Sequence, residues 1–190
     1  MKILVTGTYS SGKTSFCHKL LRACERQGWK TRCPIEVARS VELPLNTKQD
    51  GEASSFLIGM QMAMERELVS LCDVLICDRG MPDIWSHNLM SASKGSGVKN
   101  LGIKSISREW SSSYDIVIQS ICNYKIEIPL DGFRVGDKTY RKKLELFHRE
   151  AMIDLSMAPT FSFDHTKNSV ETAIKRTVCY LRARTESRIS

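Results

Sequence analysis

The sequence predicts an α/β protein, a three-layer sandwich with helices on both faces of a five-stranded parallel sheet. Three observations predict it. Short apolar runs bounded by turn residues recur at 2–6, 31–36, 73–78, 114–119 and 159–164, separated by segments of helical period; this alternation builds a parallel sheet. Gly7-Thr8-Tyr9-Ser10-Ser11-Gly12-Lys13-Thr14 has the form G-x-x-x-x-G-K-[ST] and lies between the first strand and the first helix, the setting such a phosphate-binding loop needs. Asp73-Val74-Leu75-Ile76-Cys77-Asp78 is a further apolar strand, and it ends in a carboxylate. A sheet carrying such a loop places the first strand centrally and the second at an edge. The expected order is 2-3-1-4-5, which brings Glu36, Asp78 and the loop to one edge.

The loop's chemistry follows from its residues. Gly7 and Gly12 allow backbone geometry and close approach that a Cβ would block. The N–H groups from Gly7 through Tyr9, Ser10, Ser11, Gly12, Lys13, Thr14 and Ser15 converge with the positive end of the new helix on one anionic site. Lys13 adds a positive charge for β- and γ-phosphates, and the Thr14 hydroxyl is placed to ligate Mg²⁺. The helix runs from Lys13 to about Gln27, with Phe16, Leu20, Leu21 and Cys24 on one face and Gly28 as its C-terminal stop.

Thr31 to Val37 read as a second strand, and Pro34 puts it at an edge. Glu36 and Arg39 lie at its C-terminal end, where open parallel sheets bind ligands. A carboxylate there accepts a hydrogen bond from a substrate hydroxyl; alternatively it pairs with Arg39. Residues 40 to 53 are polar, broken by Pro44 and Gly51, and read as a loop or flap. A helix over Ser54 to Leu71 follows, with Phe56, Leu57, Met60, Met64, Leu68 and Leu71 as its apolar stripe. Gln61 and Glu65, one turn apart, point together into a cleft.

Asp78 emerges beside the loop as a second Mg²⁺ ligand. Arg79 is adjacent and neutralises charge on a phosphoryl group in flight. Asp83 and Trp85 line a substrate pocket, although Trp85 reads equally well as core. Residues 91 to 113 carry a short helix near Ile103 to Trp110. Asp137 caps a helix with Tyr140, Leu144, Phe147, Ala151 and Leu155 on one face. Basic residues at a helix start oppose its dipole, which points Arg134 and Arg141 at an anion; they read as a lid, over about 131–145. Asn168 and Glu171 start a last helix with Val170, Ile174, Val178 and Leu181 inward, fraying after Arg184.

Size and composition set the bounds. A chain of 190 residues is expected to form one domain with a sizeable core, and 42% hydrophobic with 26% charged residues is ordinary for a globular protein. No apolar run approaches a membrane span, and the chain enters its first strand too soon for a signal peptide. Seven cysteines without metal spacing read as reduced thiols, and the expected location is the cytoplasm. A net charge of +7 attracts polyanions. Nucleic acid is not the favoured partner, because no basic run in the sequence interleaves with aromatics.

Taken together, the loop, Glu36-x-Ala38-Arg39, Asp78-Arg79 and the basic segment before the final strand resemble a P-loop nucleoside or nucleotide kinase. The group most resembled is the ribosylnicotinamide-kinase-like, AAA-type ATPase domains of bacterial NAD-synthesis regulators, through Glu-x-Ala-Arg, Gln61, Glu65 and Arg134. The resemblance implies ATP in the loop, adenine near Asp164 to Lys167, and a small hydroxylated acceptor near Glu36; Arg39, Gln61, Asp83 and Trp85 are the residues expected to line the acceptor's pocket. Gly80 departs from deoxynucleoside and thymidylate kinases, which carry an aromatic residue or Ser after Asp-Arg, and the expected kinase stands alone, without an adenylyltransferase domain.

The expected activity is transfer of the ATP γ-phosphoryl to a hydroxyl of a small, nucleoside-like molecule. Lys13, Arg79, Arg134 and Arg141 would stabilise the transferring group, Thr14 and Asp78 would hold Mg²⁺, and Glu36 or Asp78 would take the proton. Two other readings stay open: a nucleotide-dependent ATPase switch working with a protein partner, and a polynucleotide 5′-hydroxyl kinase. The oligomeric state is not set by the sequence.

Overall fold

The structure, a computed structural model, describes residues 1–8, 10–39, 45–95, 101–124 and 137–186. Strands β1 (Lys2–Thr6), β2 (Thr31–Arg32), β3 (Val74–Asp78), β4 (Ile116–Ser120) and β5 (Phe161–Phe163) form one sheet in the order β2-β3-β1-β4-β5. Every pairing is parallel. The helices are α1 (Lys13–Glu25), α2 (Gly51–Val69), α3 (Met81–Ala92), α4 (Leu101–Ser111), α5 (Lys138–Asp154) and α6 (Lys167–Glu186). Class, sheet order and central first strand match the sequence reading.

Side-chain alternation divides the layers. Ile3 and Val5 of β1, Ile76 of β3, and Ile116 and Ile118 of β4 pack with Phe16, Leu20 and Cys24 of α1 and Val170, Ala173 and Leu181 of α6. Phe16 stacks on Phe163 of β5 with ring centroids 4.1 Å apart. On the other face Leu4, Leu75, Cys77 and Val117 meet Leu68 and Val69 of α2 and Met152 of α5. Each fully buried aliphatic side chain of this kind contributes about 1.5–3 kcal/mol. Among the described residues, no helix is long and apolar enough to cross a membrane.

Several boundaries differ from expectation for identifiable reasons. Helix α1 ends at Glu25, two residues before the expected Gln27, but Gly28 is its stop as expected: its φ of 82° accompanies N–H bonds from Gly28 to Glu25 O and from Trp29 to Cys24 O, a Schellman motif. The second strand is two residues long rather than six, so Glu36 sits in a loop before a 3-10 turn over Val37–Arg39. Helix α2 starts earlier, because Asp50 accepts a hydrogen bond from Ala53 N at 2.8 Å and makes Gly51 the first helical residue rather than a breaker. Its inward face is Leu57, Ile58, Gln61 and Glu65; Phe56 and Leu71, expected inside, are 52% and 48% exposed. At α6, Thr166 rather than Asn168 meets the Ser169 N–H. Most other inward faces, that of α5 above all, are as expected.

Candidate active site

The C-terminal ends of β1, β3, β4 and β5 meet at one edge, and the phosphate-binding loop closes over it. Gly7 has φ 138°, and a Cβ there would lie 2.7 Å from Ser120 O, so the loop passes β4 too closely for any side chain. Gly12, at φ 79°, faces His165 from the β5–α6 loop, with Nδ1 3.4 Å from where a Cβ would stand. Ser120 Oγ donates to Ser11 O, and Ser11 Oγ donates to Thr8 O at 2.5 Å. Lys13 Nζ donates to the carbonyls of Gly7 and Thr8 at 2.6 and 2.7 Å. Burial pushes its ammonium down to about 8, with Arg79 acting the same way against the carboxylates of Asp83, Asp78 and Glu36. An anion bound beside it would favour the charged form.

Thr14 Oγ1 donates to Asp78 Oδ2 at 2.6 Å. Asp78 Oδ1 is buried and has no hydrogen-bond partner among the described residues. A hydroxyl beside a carboxylate with one oxygen uncommitted fits Mg²⁺, which takes one or two protein oxygens and fills the rest of its octahedron with water and phosphate. Thr8 Oγ1, Ser10 Oγ and His165 Nε2 are likewise buried without partners and ring the loop. Burial, and then Arg141, hold the His165 imidazole below its ordinary pKa.

Glu36 and Arg79 meet across the top of β3, with Arg79 Nε 2.6 Å from Glu36 Oε1 and both side chains less than one-fifth exposed. Arg79 occupies the left-handed region at φ 79°, a conformation that costs a non-glycine residue about 1 kcal/mol or more. Its carbonyl lies 3.4 Å from Gln61 Nε2. Arg141 is fully buried on α5, and its Nη2 lies 3.4 Å from Ser10 O and 3.0 Å from Asn123 O.

Other expected site residues are placed differently. Asp83 is buried beneath the loop rather than along a pocket wall: it accepts from Thr6 Oγ1 at 2.7 Å, Gly80 N at 3.1 Å and Gly7 N at 3.3 Å. Trp85 is core, packed with Ile58, Met81 and Ala151, and its Nε1 donates to Asp154 at 3.0 Å. Gln61 and Glu65 bond to each other at 2.7 Å, and Glu65 turns into the interior to meet Lys2, Trp110 and Tyr114. Tyr9, Arg134 and the Arg39 side chain lie outside the described residues.

Sequence reading missed Thr6, His87 and His148, and took in His165 only as part of the stretch near the adenine. No motif surrounds any of them. The one signal available was His148 lying seven residues after Arg141 on the same helix, which puts both on one face. Gly80 now has a structural reason: a Cβ would stand 2.5 Å from Tyr114 Oη and 2.7 Å from Leu4 Cδ1.

No protein-family model matches the chain, and no curated protein matches it. Solved structures share its fold. The deoxyadenosine kinase of M. mycoides, solved with the products dCMP and a flexible dCDP, is 15% identical with a TM-score of 0.60, over 96% of this chain and 100% of that one. The same enzyme with dATP bound gives a TM-score of 0.55 at 14% identity. The YorR protein of Bacillus subtilis, solved with phosphorylated GDP, is 14% identical with a TM-score of 0.60 over 98% of each chain. The chain has the α/β fold of these phosphate-loop structures.

Proposed function

We propose that the protein is an ATP-dependent phosphotransferase that moves the γ-phosphoryl of Mg-ATP to a hydroxyl of a small, nucleoside-like acceptor, working as one domain in the cytoplasm. The observation that carries this is the pair of arrangements flanking the loop: Thr14–Asp78 with its uncommitted carboxylate oxygen, and Glu36–Arg79 beside it. The first fits a metal–triphosphate, and the second offers an acceptor hydroxyl a base and the phosphoryl a cation. A deoxyadenosine kinase of the same fold, solved with nucleotides, and the YorR protein, solved with phosphorylated GDP, support the reading.

Transfer passes through a loose transition state, so the protein contributes chiefly positioning and charge. Lys13 and the loop N–H groups hold the β- and γ-phosphates. Thr14 and Asp78 would hold Mg²⁺, which would supply neutralisation of the triphosphate's charge. Arg79 and Arg141, joined by Arg134, meet charge on the transferring group. Glu36 orients the acceptor hydroxyl and takes its proton late, as the new O–P bond forms and the bond to ADP breaks. Asp78 already accepts from Thr14, which favours Glu36 as the base. His165 stands where the resemblance puts the adenine.

One panel tests this: ADP release from Mg-ATP without acceptor, and with nucleosides, nicotinamide riboside, mononucleotides or a short oligonucleotide. Release that depends on a nucleoside, abolished in Lys13→Ala and Glu36→Gln, is the expected result. A fully active Glu36→Gln enzyme would remove Glu36 as the base. Acceptor-independent release would make the protein an ATPase. Oligonucleotide phosphorylation that weakens steeply with salt would make it a polynucleotide kinase.

A further inference from the structure

Beneath the phosphate-binding loop, three segments meet at one hydroxyl. Thr6 Oγ1 donates to Asp83 Oδ2 at 2.7 Å and lies 2.7 Å from His148 Nε2. Thr6 ends β1 immediately before Gly7. Asp83, in the first turn of α3, also receives the N–H groups of Gly7 and Gly80. His148 comes from α5, two turns after Arg141 on the same buried face, and is 2% exposed. A threonine hydroxyl has one proton. Here that proton goes to the carboxylate, so the hydroxyl can only accept from the histidine, and Nε2 must carry a hydrogen.

We propose that His148 is a positioning residue: as the Nε2–H donor to Thr6 it fastens α5, and with it Arg141, to the root of the phosphate-binding loop through Thr6 and Asp83. The relay is directional, from His148 Nε2–H to the Thr6 hydroxyl, and from there to a carboxylate that also fixes the first N–H of the loop and the N-terminus of α3. The β3–α3 junction that carries Asp78 and Arg79 is therefore held from the same point. Burial keeps the imidazole below its ordinary pKa, while Asp83 of α3 and Glu145 of α5 pull upward and Lys13 of α1 and Arg79 push downward. The neutral ring then has Nε2 protonated and Nδ1 bare. The effect on turnover rests on the kinase reading; the tautomer and the nucleotide affinity do not.

The tautomer is read by two-dimensional ¹⁵N–¹H NMR of the histidine rings, assigned by comparison with His148→Gln. The expected spectrum shows a protonated Nε2 and an unprotonated Nδ1; the reverse tautomer overturns the proposal. Affinity is read with a fluorescent ATP analogue. His148→Phe removes the donor and should weaken binding by about tenfold, the scale of one buried hydrogen bond. His148→Gln restores an N–H donor near the Nε2 position and should stay within about threefold of the parent. Thr6→Val should weaken binding like His148→Phe, with the double variant no worse than the weaker-binding single one, since both break one relay. Additive losses, or a His148→Phe protein that binds like the parent, overturn the proposal. If His148→Phe does not fold, the tautomer and the His148→Gln comparison still decide. Where turnover is measurable, His148→Phe should lower kcat more than it raises KM for the acceptor. No ADP release with any acceptor would sink the kinase reading and leave the other tests standing.

Discussion

Replacing Glu65 by Gln tests the account of the interior most severely. Glu65 is fully buried and accepts from four donors: Lys2 Nζ at 2.8 Å and Gln61 Nε2, Trp110 Nε1 and Tyr114 Oη at 2.7 Å each. Lys2, itself 5% exposed, lies over the rings of Trp110 and Tyr114 at 4.4 and 4.5 Å. Glu65→Gln keeps the shape but turns one acceptor oxygen into an NH₂ group. One of the two donor pairs, Lys2 with Trp110 or Gln61 with Tyr114, then faces a donor, and in either orientation the Lys2 ammonium is left without its counter-charge. Breaking a buried pair in this way costs about 3–5 kcal/mol. Unfolding entropy of about 2.1 cal/mol/K per residue over 190 residues converts that to a fall in Tm of about 8–12 °C. Calorimetry and urea unfolding read it. Adding Lys2→Met removes the stranded charge and should recover more than about 1 kcal/mol. A Glu65→Gln protein melting within about 2 °C of the parent, the shift of an ordinary surface substitution, would mean that Lys2 does not depend on Glu65.

Other outcomes follow from single contacts. Gly80→Ala puts a Cβ against Tyr114 Oη and Leu4 Cδ1 and should cost about 1–3 kcal/mol in urea unfolding; a neutral result would show that the α3 start is looser than described. Burial pushes His87 down to about 4, so between that value and its ordinary 6.5 the unfolded chain binds more protons. Its contribution is full above about pH 6.5 and is lost as pH falls toward 4, on the order of 3 kcal/mol in all. His87→Gln should therefore flatten the acid side of the stability–pH curve, and an unchanged slope would count against that placement. Asp78→Asn should raise the Mg²⁺ concentration needed for half-maximal ADP release by tenfold or more, on the order of 1.4 kcal/mol for the lost charge; an unaltered Mg²⁺ dependence would move the metal site elsewhere.

The sheet and the loop were legible because their signals are local. Gly7, Gly12, Lys13 and Thr14 lie within eight consecutive residues, and Asp78 ends its own strand. What could not be read was direction. Asp83 was expected at a pocket, but a first-turn residue of α3 faces wherever the Gly80 N–H and Thr6 hydroxyl draw it. Gln61 and Glu65 were read as cleft residues because they lie one helical turn apart; their burial depends on Lys2, Trp110 and Tyr114, which lie at least 45 residues from Glu65 in the chain. The Glu36–Arg79 pair joins two residues that the sequence assigned to separate tasks.

The two-residue β2 has a consequence beyond topology. The half of the edge that would hold the triphosphate is braced by the five-residue β1 and β3 and by the Thr6–Asp83–His148 relay. The half that carries Glu36 follows a ladder of two positions, Thr31 with Val74 and Arg32 with Leu75, with Val37 buried against the core and Glu36 paired to Arg79. On the proposed function, substitutions at exposed positions there, such as Ile35, would reshape what Glu36 meets while the loop keeps its own bracing. Such a division would keep the chemistry conservative and the choice of acceptor evolvable, with Arg79 as the hinge pin between them.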